Sequence, residues 1–332
     1  MCLPLADGGE GTLRVLAASD PEARWHRARV TGPAGTVVAS RWLGLHDGTA
    51  SIELAQASGL PLMPAPDPLG ARTTGTGELI GRALDAGARR IVLGLGGVAS
   101  TDGGSGALAA LGARFLDAAG RELPPGGGAL VDLAAADLTG LRRPPPGGVA
   151  CLTDVRSPLL GPRGAAAVFA PQKGADAAQV AILEAGLARL ARVLGGNPDA
   201  EGAGAAGGTG YGFAAAWGAQ ITPGAAELCR IVGLDRELRR ADLVLTGEGR
   251  YDVTSADGKI TGTVLAAAAR AGVVAALAAG TIAADPPAGT VAAVSLAELA
   301  GGSSGAMASP RRWLRAAGQR LARELAPEAD RS

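Results

Sequence analysis

Histidine and cysteine are scarce in this 332-residue chain, which contains two histidines (His26 and His46) and three cysteines (Cys2, Cys151 and Cys229). Two histidines are too few to favour a Ser-His-Asp triad or a histidine metal site, and three scattered cysteines form neither a disulfide framework nor a zinc site. No apolar run reaches the ~20 residues of a membrane helix, and the N-terminus has no signal-peptide pattern. We therefore expect a soluble, cytoplasmic protein without membrane partners.

An excess of charge of either sign is also missing. The 31 Lys and Arg residues balance the 31 Asp and Glu residues, so the formal net charge is zero. This balance provides no broad electrostatic surface for nucleic acid or an anionic membrane. Hydrophobic residues make up 47% and charged residues 19%, which favours a globular chain over a disordered one.

Lysine is nearly absent among the basic residues. Only Lys173 and Lys259 are lysines among the 31 basic residues, and each lies beside a glycine. Arginine does not replace lysine as a compact, rotatable point charge on a phosphate. The two lysines are therefore either phosphate ligands or chance survivors of an arginine-rich composition, and the composition leaves both interpretations open.

Short apolar segments alternate with helical patterns along most of the chain, which predicts an α/β fold with a mostly parallel sheet. The predicted strands are 28–32, 36–44, 49–54, Arg90–Gly94, Val149–Leu152, Asp242–Leu245, Val273–Ala278 and Val291–Leu296. The predicted helices are Thr76–Ala86, 104–112, 163–169, 176–194, 260–271 and a last helix with Ser309 as N-cap and Pro310 at its first position. The early strands, together with the interrupted alternation of strands and helices in the middle of the chain, predict a second, smaller α/β domain.

Two glycine-rich stretches resemble dinucleotide fingerprints. Gly94–Ala99 fits G-x-G-x-x-A after a strand, and Gly202–Gly207 fits G-x-G-x-x-G without a preceding strand. No acidic ribose-binding position follows either match, and 53 glycines make chance matches common. A nicotinamide-dependent oxidoreductase is therefore the lesser alternative. A Walker A loop is absent because Ile260 follows Lys259.

Acidic and basic residues recur beside glycine in five loops. These loops contain Asp7-Gly8-Gly9-Glu10, Asp102-Gly103, Asp154 with Arg163, Lys173-Gly174, and Glu248-Gly-Arg250-Tyr-Asp252, with Asp257-Gly-Lys259 close behind. Each has an ordinary structural interpretation: Asp-Gly is a common turn, and Asp102 fits the cap of the following helix. Together they supply carboxylates for Mg²⁺ and a hydroxyl proton, cations for phosphate charge, and N–H groups that cradle it. The set favours a kinase without a Walker A loop.

The same stretches resemble the type I family of bacterial glycerate kinases. The resemblance covers almost the whole chain in five ordered motifs, at Pro4–Thr12, Gly94–Gly104, Asp154–Ala175, Gly202–Gly210 and Ala241–Lys259. It implies ATP- and Mg²⁺-dependent phosphorylation of D-glycerate to 2- or 3-phosphoglycerate. It also implies two α/β domains with the site in the cleft between them: a doubly wound, mostly parallel domain (1–12, 73–112 and 240–332) and a smaller mixed domain (13–72 and 113–239).

The chain departs from the family pattern in several places. The family's initial strand, its Ala-Pro-Asp-Ser-Phe-Lys-Gly motif and the following helix have no counterpart before Asp7. Val98, Ser100 and Thr101 replace the usual Ser, Thr and Asn, and Val253 replaces a usual Gly. The first departure leaves open a mis-set start codon or a true truncation, so a catalytically impaired relative that binds nucleotide or small anions is the alternative function.

The resemblance and the chemistry together assign candidate roles. Asp154 is expected to be the base or a metal ligand, with Glu248 as a second metal ligand, and Arg163 and Lys173 are expected to stabilise the transferring phosphoryl group. The expected substrate- and nucleotide-binding residues are Asp7, Gly8, Gly9, Glu10, Gly96, Gly97, Ser100, Asp102, Gly103, Glu248, Arg250, Asp252 and Lys259. The expected partners are glycerate and ATP, and a homodimer is left open.

Overall fold

Two compact units make up the structure, a computed structural model that describes residues 1–256 and 259–326. The N-terminal unit comprises Cys2 and Pro4–Gly224, and the C-terminal unit comprises Met1, Leu3 and Ala225–Ser332. Both units combine helices with parallel strands, so the predicted α/β class is confirmed.

One six-stranded sheet, in the order β1-β2-β3-β4-β7-β8, organises the N-terminal unit. Its strands are β1 (Arg24–Thr31), β2 (Val37–Gly44), β3 (Thr49–Glu53), β4 (Arg90–Gly94), β7 (Val149–Leu152) and β8 (Gln220–Thr222), and β5 (Arg114–Leu116) pairs separately with β6 (Ala135–Asp137). The pairs β1–β2 and β2–β3 are antiparallel, whereas β3, β4, β7 and β8 run parallel. β3, β4 and β7 are buried along almost their whole length, as expected where both faces of the sheet are covered.

Besides three short 3-10 helices, the described part of the N-terminal unit has seven α-helices: α1 (Thr12–Ser19), α2 (Ala55–Ser58), α3 (Thr74–Asp85), α4 (Ser105–Ala110), α5 (Ala165–Phe169), α6 (Ala177–Leu194) and α7 (Ala205–Trp217). The leucine spacing of α6 buries Leu183, Leu187 and Leu190 against the core. Asp176 begins this helix with a capping box, in which its side chain and that of Gln179 each accept from the other residue's backbone N–H.

A three-stranded parallel sheet, in the order β13-β11-β9, organises the C-terminal unit. The strands of this unit are β9 (Leu243–Thr246), β10 (Arg250–Tyr251), β11 (Val274–Ala279), β12 (Thr281–Ile282) and β13 (Thr290–Ser295). Its helices are α8 (Gly224–Ile231), which begins on the last residue of the other unit, α9 (Leu234–Leu238), α10 (Val253–Ala256), α11 (Ile260–Ala271), α12 (Leu296–Ala300), α13 (Ser303–Ala308) and α14 (Pro310–Leu325). As predicted, Ser309 is the N-cap of α14, and Leu321 packs into the core.

The structure divides the chain differently from the sequence prediction. The prediction placed 73–112 with 240–332 and placed 13–72 in the other domain. Instead, β3 and β4 are hydrogen-bonded neighbours over five residue pairs, from Thr49–Arg90 to Glu53–Gly94. Because these ladder hydrogen bonds join distant segments, the pattern along the sequence did not reveal them. The N-terminal unit therefore holds both segments in one sheet.

The three cysteines differ in their exposure to solvent. Cys151, in β7, and Cys229, in α8, are buried, whereas Cys2 is exposed. Burial raises the pKa of the Cys151 thiol to about 12 and that of the Cys229 thiol to about 11.

Among the residues described, every helix is too short or too polar to cross a membrane.

Candidate functional site

The four parallel strands of the N-terminal unit end in register at one edge of the sheet. Glu53 pairs with Gly94, Gly94 with Leu152, and Leu152 with Thr222. The residues that follow these positions include Gly96, Gly97 and Asp154, all predicted from the sequence. In α/β sheets, ligands bind outside the carboxyl ends of parallel strands. This edge is therefore the candidate site of the unit.

The loop Asp7–Gly11 lies directly against this edge. A Cβ atom on Gly94 would lie 2.6 Å from the carbonyl oxygen of Gly8, and one on Gly96 would lie 3.0 Å from the Cα of Gly9. Gly8 itself has a φ of +92° and packs against Leu152. The glycines allow two backbone segments that are distant in sequence to touch, so the structure brings the predicted glycine loops together.

Several backbone donors remain unpaired where the two loops meet. In the part of the chain that the structure describes, no group accepts a hydrogen bond from the N–H of Glu10, Gly96 or Gly97. Gly97 is exposed, Gly96 is half-buried, and the side chains of Asp7 and Glu10 are exposed. Unpaired N–H groups on neighbouring glycine loops form the kind of concave surface that binds anions.

Replacement of Gly94 by alanine should disturb this contact. The new Cβ would lie 2.6 Å from the carbonyl oxygen of Gly8, so the Asp7–Gly11 loop must shift. We expect kcat/KM to fall by roughly 10²-fold, because a binding group displaced by about 1 Å no longer positions the substrate for reaction. The matched control is Gly318→Ala in α14, where the new methyl group meets nothing within 4 Å. Equal activity of the two variants would show that the loop contact is not needed.

Glu53 is a functional candidate that the sequence analysis missed. Its side chain is only 4% exposed, at the end of β3, and one carboxylate oxygen accepts from the N–H groups of Gly11 and Leu13, both at 2.9 Å. The other oxygen accepts from the side-chain amide of Gln56 at 3.2 Å. The sequence signal for it was an acidic residue near the end of the predicted strand 49–54.

Asp102 is fully buried in the connection between β4 and α4, residues 95–104, which contains Gly96 and Gly97 and is called here the second glycine loop. Its carboxylate accepts from the backbone N–H and hydroxyl of Thr73, at 2.9 and 2.8 Å, and from the N–H groups of Gly104 and Gly106. These donors belong to the start of α3 and the first turn of α4, so the capping interpretation of Asp102 describes its contacts. Asp102 supports the loop from inside rather than facing solvent, and Gly103 is buried beside it.

Lys173 is also buried, at 5% exposure, and its ammonium group holds the same loop. The Nζ donates to the carbonyl oxygen of Ser100 at 2.6 Å and to the hydroxyl of Thr101 at 3.3 Å. Burial lowers the pKa of Lys173 to about 8, although the nearby Asp102 charge acts in the opposite direction. The Ser100 hydroxyl is buried and, among the described residues, has no hydrogen-bond partner. Lys173 therefore contacts the backbone of the loop.

The second dinucleotide fingerprint packs against this loop as well. Residues 206–208 have left-handed backbone angles, and the carbonyl oxygen of Gly207 accepts from the N–H of Gly103 at 3.0 Å. A Cβ on Gly207 would lie 2.2 Å from the carbonyl oxygen of Ser100. These glycines are therefore required for backbone packing, which explains the motif without a dinucleotide.

Asp154 and Arg163 are both exposed in the loops that follow β7. One carboxylate oxygen of Asp154 accepts from the backbone N–H of Gly224 at 3.1 Å, after the end of β8. This bond fixes the carboxylate at the edge where the two glycine loops meet. Arg163 lies in the turn before α5.

The remaining predicted residues lie in the C-terminal unit, around the carboxyl end of β9. Glu248 follows this strand, and its Oε1 is shielded from solvent without a described hydrogen-bond partner. Arg250 pairs with Asp252 at 3.1 Å, and the pKa of Asp252 is lowered, chiefly by its hydrogen bonds from Thr254. Lys259 is exposed immediately before α11, and Asp257 lies outside the described residues.

Comparison with known proteins decides the family. The model of the glycerate kinase family matches residues 1–326. The chain belongs to the glycerate kinase family. A glycerate kinase from Bacillus subtilis (strain 168) is 46% identical over 268 residues, which cover 77% of this chain and 69% of that protein. A glycerate 2-kinase from Escherichia coli (strain K12) is 43% identical, with 78% and 70% covered.

A solved structure from Salmonella typhimurium LT2, assigned to glycerate kinase 2, agrees with the fold. It matches with a TM-score of 0.80 and 40% sequence identity over 89% of this chain and 80% of that one. Membership of the glycerate kinase family confirms the resemblance to glycerate kinases and the kinase class, and it leaves no need for the oxidoreductase alternative.

Proposed function

We propose that this chain transfers the terminal phosphoryl group of ATP to a hydroxyl group of D-glycerate, with Mg²⁺, and releases phosphoglycerate and ADP. The observation that carries the proposal is the meeting of two glycine loops at the carboxyl edge of the parallel strands. The unpaired N–H groups of Glu10, Gly96 and Gly97 suit an anion, and both substrates are anions. The names of the matched relatives supply glycerate as the acceptor.

Asp154 is the proposed residue nearest to the accepting hydroxyl group. Its carboxylate is exposed and is held at the same edge by the N–H of Gly224. A carboxylate in this position accepts the proton that leaves the hydroxyl group as the new O–P bond forms. The exposed guanidinium of Arg163 is proposed to neutralise phosphoryl charge, and Lys173 to act on the reaction through the loop that it holds.

The donor groups of the chain are compatible with Mg²⁺. Within residues 1–256 and 259–326, no three His, Cys, Asp or Glu side chains converge on one point. Mg²⁺ is usually held by one or two carboxylates together with substrate phosphates and water, so a complete protein cage is not required. Asp154 is the proposed carboxylate ligand of the N-terminal unit, and Glu248 is proposed independently as a carboxylate ligand of the C-terminal unit. The bound ion would neutralise negative charge on the transferring phosphoryl group.

The proposed nucleotide- or glycerate-binding residues of the C-terminal unit are Glu248, Arg250, Asp252 and Lys259. They follow the carboxyl end of β9 or precede α11, where strands and helices of an α/β unit present binding groups. The orphaned Oε1 of Glu248 supports this proposal because a buried acceptor without a donor is costly unless a ligand or water satisfies it.

The test is ADP release by the purified chain with ATP, Mg²⁺ and an acceptor. We expect turnover with D-glycerate and little turnover with L-glycerate or glycerol, because a site that fixes the carboxylate and both hydroxyl groups distinguishes the two enantiomers. Omission of Mg²⁺ should abolish the signal. Folded protein that releases no ADP above a no-acceptor control would refute the proposal and would favour a relative that binds anions without catalysis.

A further inference from the structure

The first turn of α1 begins at the candidate site without a capping side chain of its own. Its N-cap is Gly11, with a φ of 101°, and glycine has no side-chain oxygen to accept from the exposed N–H groups of a helix start. The missing acceptor comes from Glu53, 42 residues later in the sequence, whose Oε1 accepts from both Gly11 and Leu13. One carboxylate oxygen thus ties the end of β3 to the end of the Asp7–Gly11 loop.

The burial of this carboxylate requires an explanation. At 4% exposure a charged group is expensive to bury, and among the residues that the structure describes no Lys, Arg or His lies within 4.0 Å of it. Its stabilisation comes from two backbone N–H groups, the positive end of the α1 dipole and the amide of Gln56. An arrangement this costly is retained where it fixes a geometry that the protein uses.

The fixed geometry is the contact between the two glycine loops. Glu53 is the last residue of β3 and pairs with Gly94 of β4, so its side chain starts beside the strand end that leads into the Gly94–Gly97 loop. By holding Gly11 it sets how far the Gly8-Gly9-Glu10 backbone reaches over Gly94 and Gly96. Because the carboxylate already accepts from the start of α1, the N–H groups of Glu10, Gly96 and Gly97 are among those left for a ligand.

We propose that Glu53 is a positioning residue of the phosphoryl-transfer site: its carboxylate holds the Asp7–Gly11 loop in register with the Gly94–Gly97 loop, so that both loops bind one anionic group of the substrate. The inference rests on the proposed function. Glu53 does not contact the substrate itself, since its two oxygens are occupied by Gly11, Leu13 and Gln56.

Two substitutions separate geometry from charge. Glu53→Gln removes the charge but keeps an oxygen at the same reach for Gly11 and Leu13, whereas Glu53→Asp keeps the charge but draws the oxygen back by one methylene group. We expect Glu53→Gln to retain kcat/KM for glycerate within about threefold and Glu53→Asp to lose about 10²-fold, the scale of a misplacement of about 1 Å. Hydrogen exchange at the amides of Gly11 and Leu13 should accelerate in Glu53→Asp.

Each outcome supports or overturns the positioning role of Glu53. If Glu53→Asp is as active as the unmodified chain, or if Glu53→Gln loses activity while its amides stay protected, the positioning role is overturned. Accelerated exchange and lost activity in both variants would support it, because neither side chain then holds the loop. If the unmodified chain has no glycerate-dependent turnover but Glu53→Asp alone releases its amides, the proposed reaction fails while the anchoring of the loop stands.

Discussion

The substitution Asp154→Asn is expected to lower kcat by about 10²–10⁴-fold, the contribution of a positioned general base. Asparagine keeps an oxygen that can accept from the N–H of Gly224, so the loop after β7 should keep its position. What it removes is the negative charge that accepts a proton or holds Mg²⁺. The measurement is ADP release at saturating glycerate and ATP, with the melting temperature recorded for both proteins.

Asp132→Asn is the control for this prediction. Asp132 is an exposed carboxylate of the same unit, and its neutralisation should leave kcat unchanged. If Asp154→Asn retains wild-type kcat with an unchanged melting temperature, Asp154 is neither the base nor an essential metal ligand. A raised KM for glycerate at constant kcat would reassign it to substrate binding.

The substitution Lys173→Met is expected to lower kcat/KM by about 10²-fold through displacement of the second glycine loop. Methionine fills the buried volume but donates no hydrogen bond, so the carbonyl oxygen of Ser100 loses the 2.6 Å contact that holds it. Comparison with Lys173→Ala, which also leaves a cavity, separates the lost hydrogen bond from lost packing. Near-wild-type turnover of the methionine variant would show that the ammonium group has no role.

Lys173 also predicts a pH dependence of stability. Burial lowers its pKa from 10.5 to about 8 in the folded chain, so between these pH values the unfolded chain binds more protons than the folded one. The free energy of unfolding should therefore rise with pH between about 8 and 10.5, relative to Lys173→Met, and the penalty of the buried charge is fully present below pH 8. Denaturant titrations of both proteins at pH 7 and pH 10 test the sign.

Most secondary structure could be predicted because it depends on local patterns. Helices predicted at 176–194 and 260–271 were found at Ala177–Leu194 and Ile260–Ala271, and the apolar runs at 90–94 and 149–152 became β4 and β7. Short elements without a clear apolar period were missed, among them α1 and β8. The pairing of β3 with β4 could not be predicted either, since nothing local specifies which distant strand becomes a neighbour.

The site was predictable in its loops but not in the roles of their side chains. Glycine beside acid marked the loops at Asp7, Asp102 and Asp154, and the structure places all three after strands or beside their ends. Yet Asp154 is exposed, whereas Asp102 is saturated by donors from α3 and α4, and that difference is set by tertiary packing. Glu53 escaped notice because the two backbone N–H groups that it accepts from, those of Gly11 and Leu13, lie 42 and 40 residues away.

The distribution of the three thiols allows the stability of each unit to be followed separately. A maleimide reagent should label Cys2 at once in the folded chain, since this thiol alone is exposed among the three. Cys151 becomes reactive only when the six-stranded sheet opens, and Cys229 only when α8 is released from its packing. Mass spectrometry of the labelling sites over time would thus report two opening rates in one sample and show which half of the chain yields first to heat or denaturant.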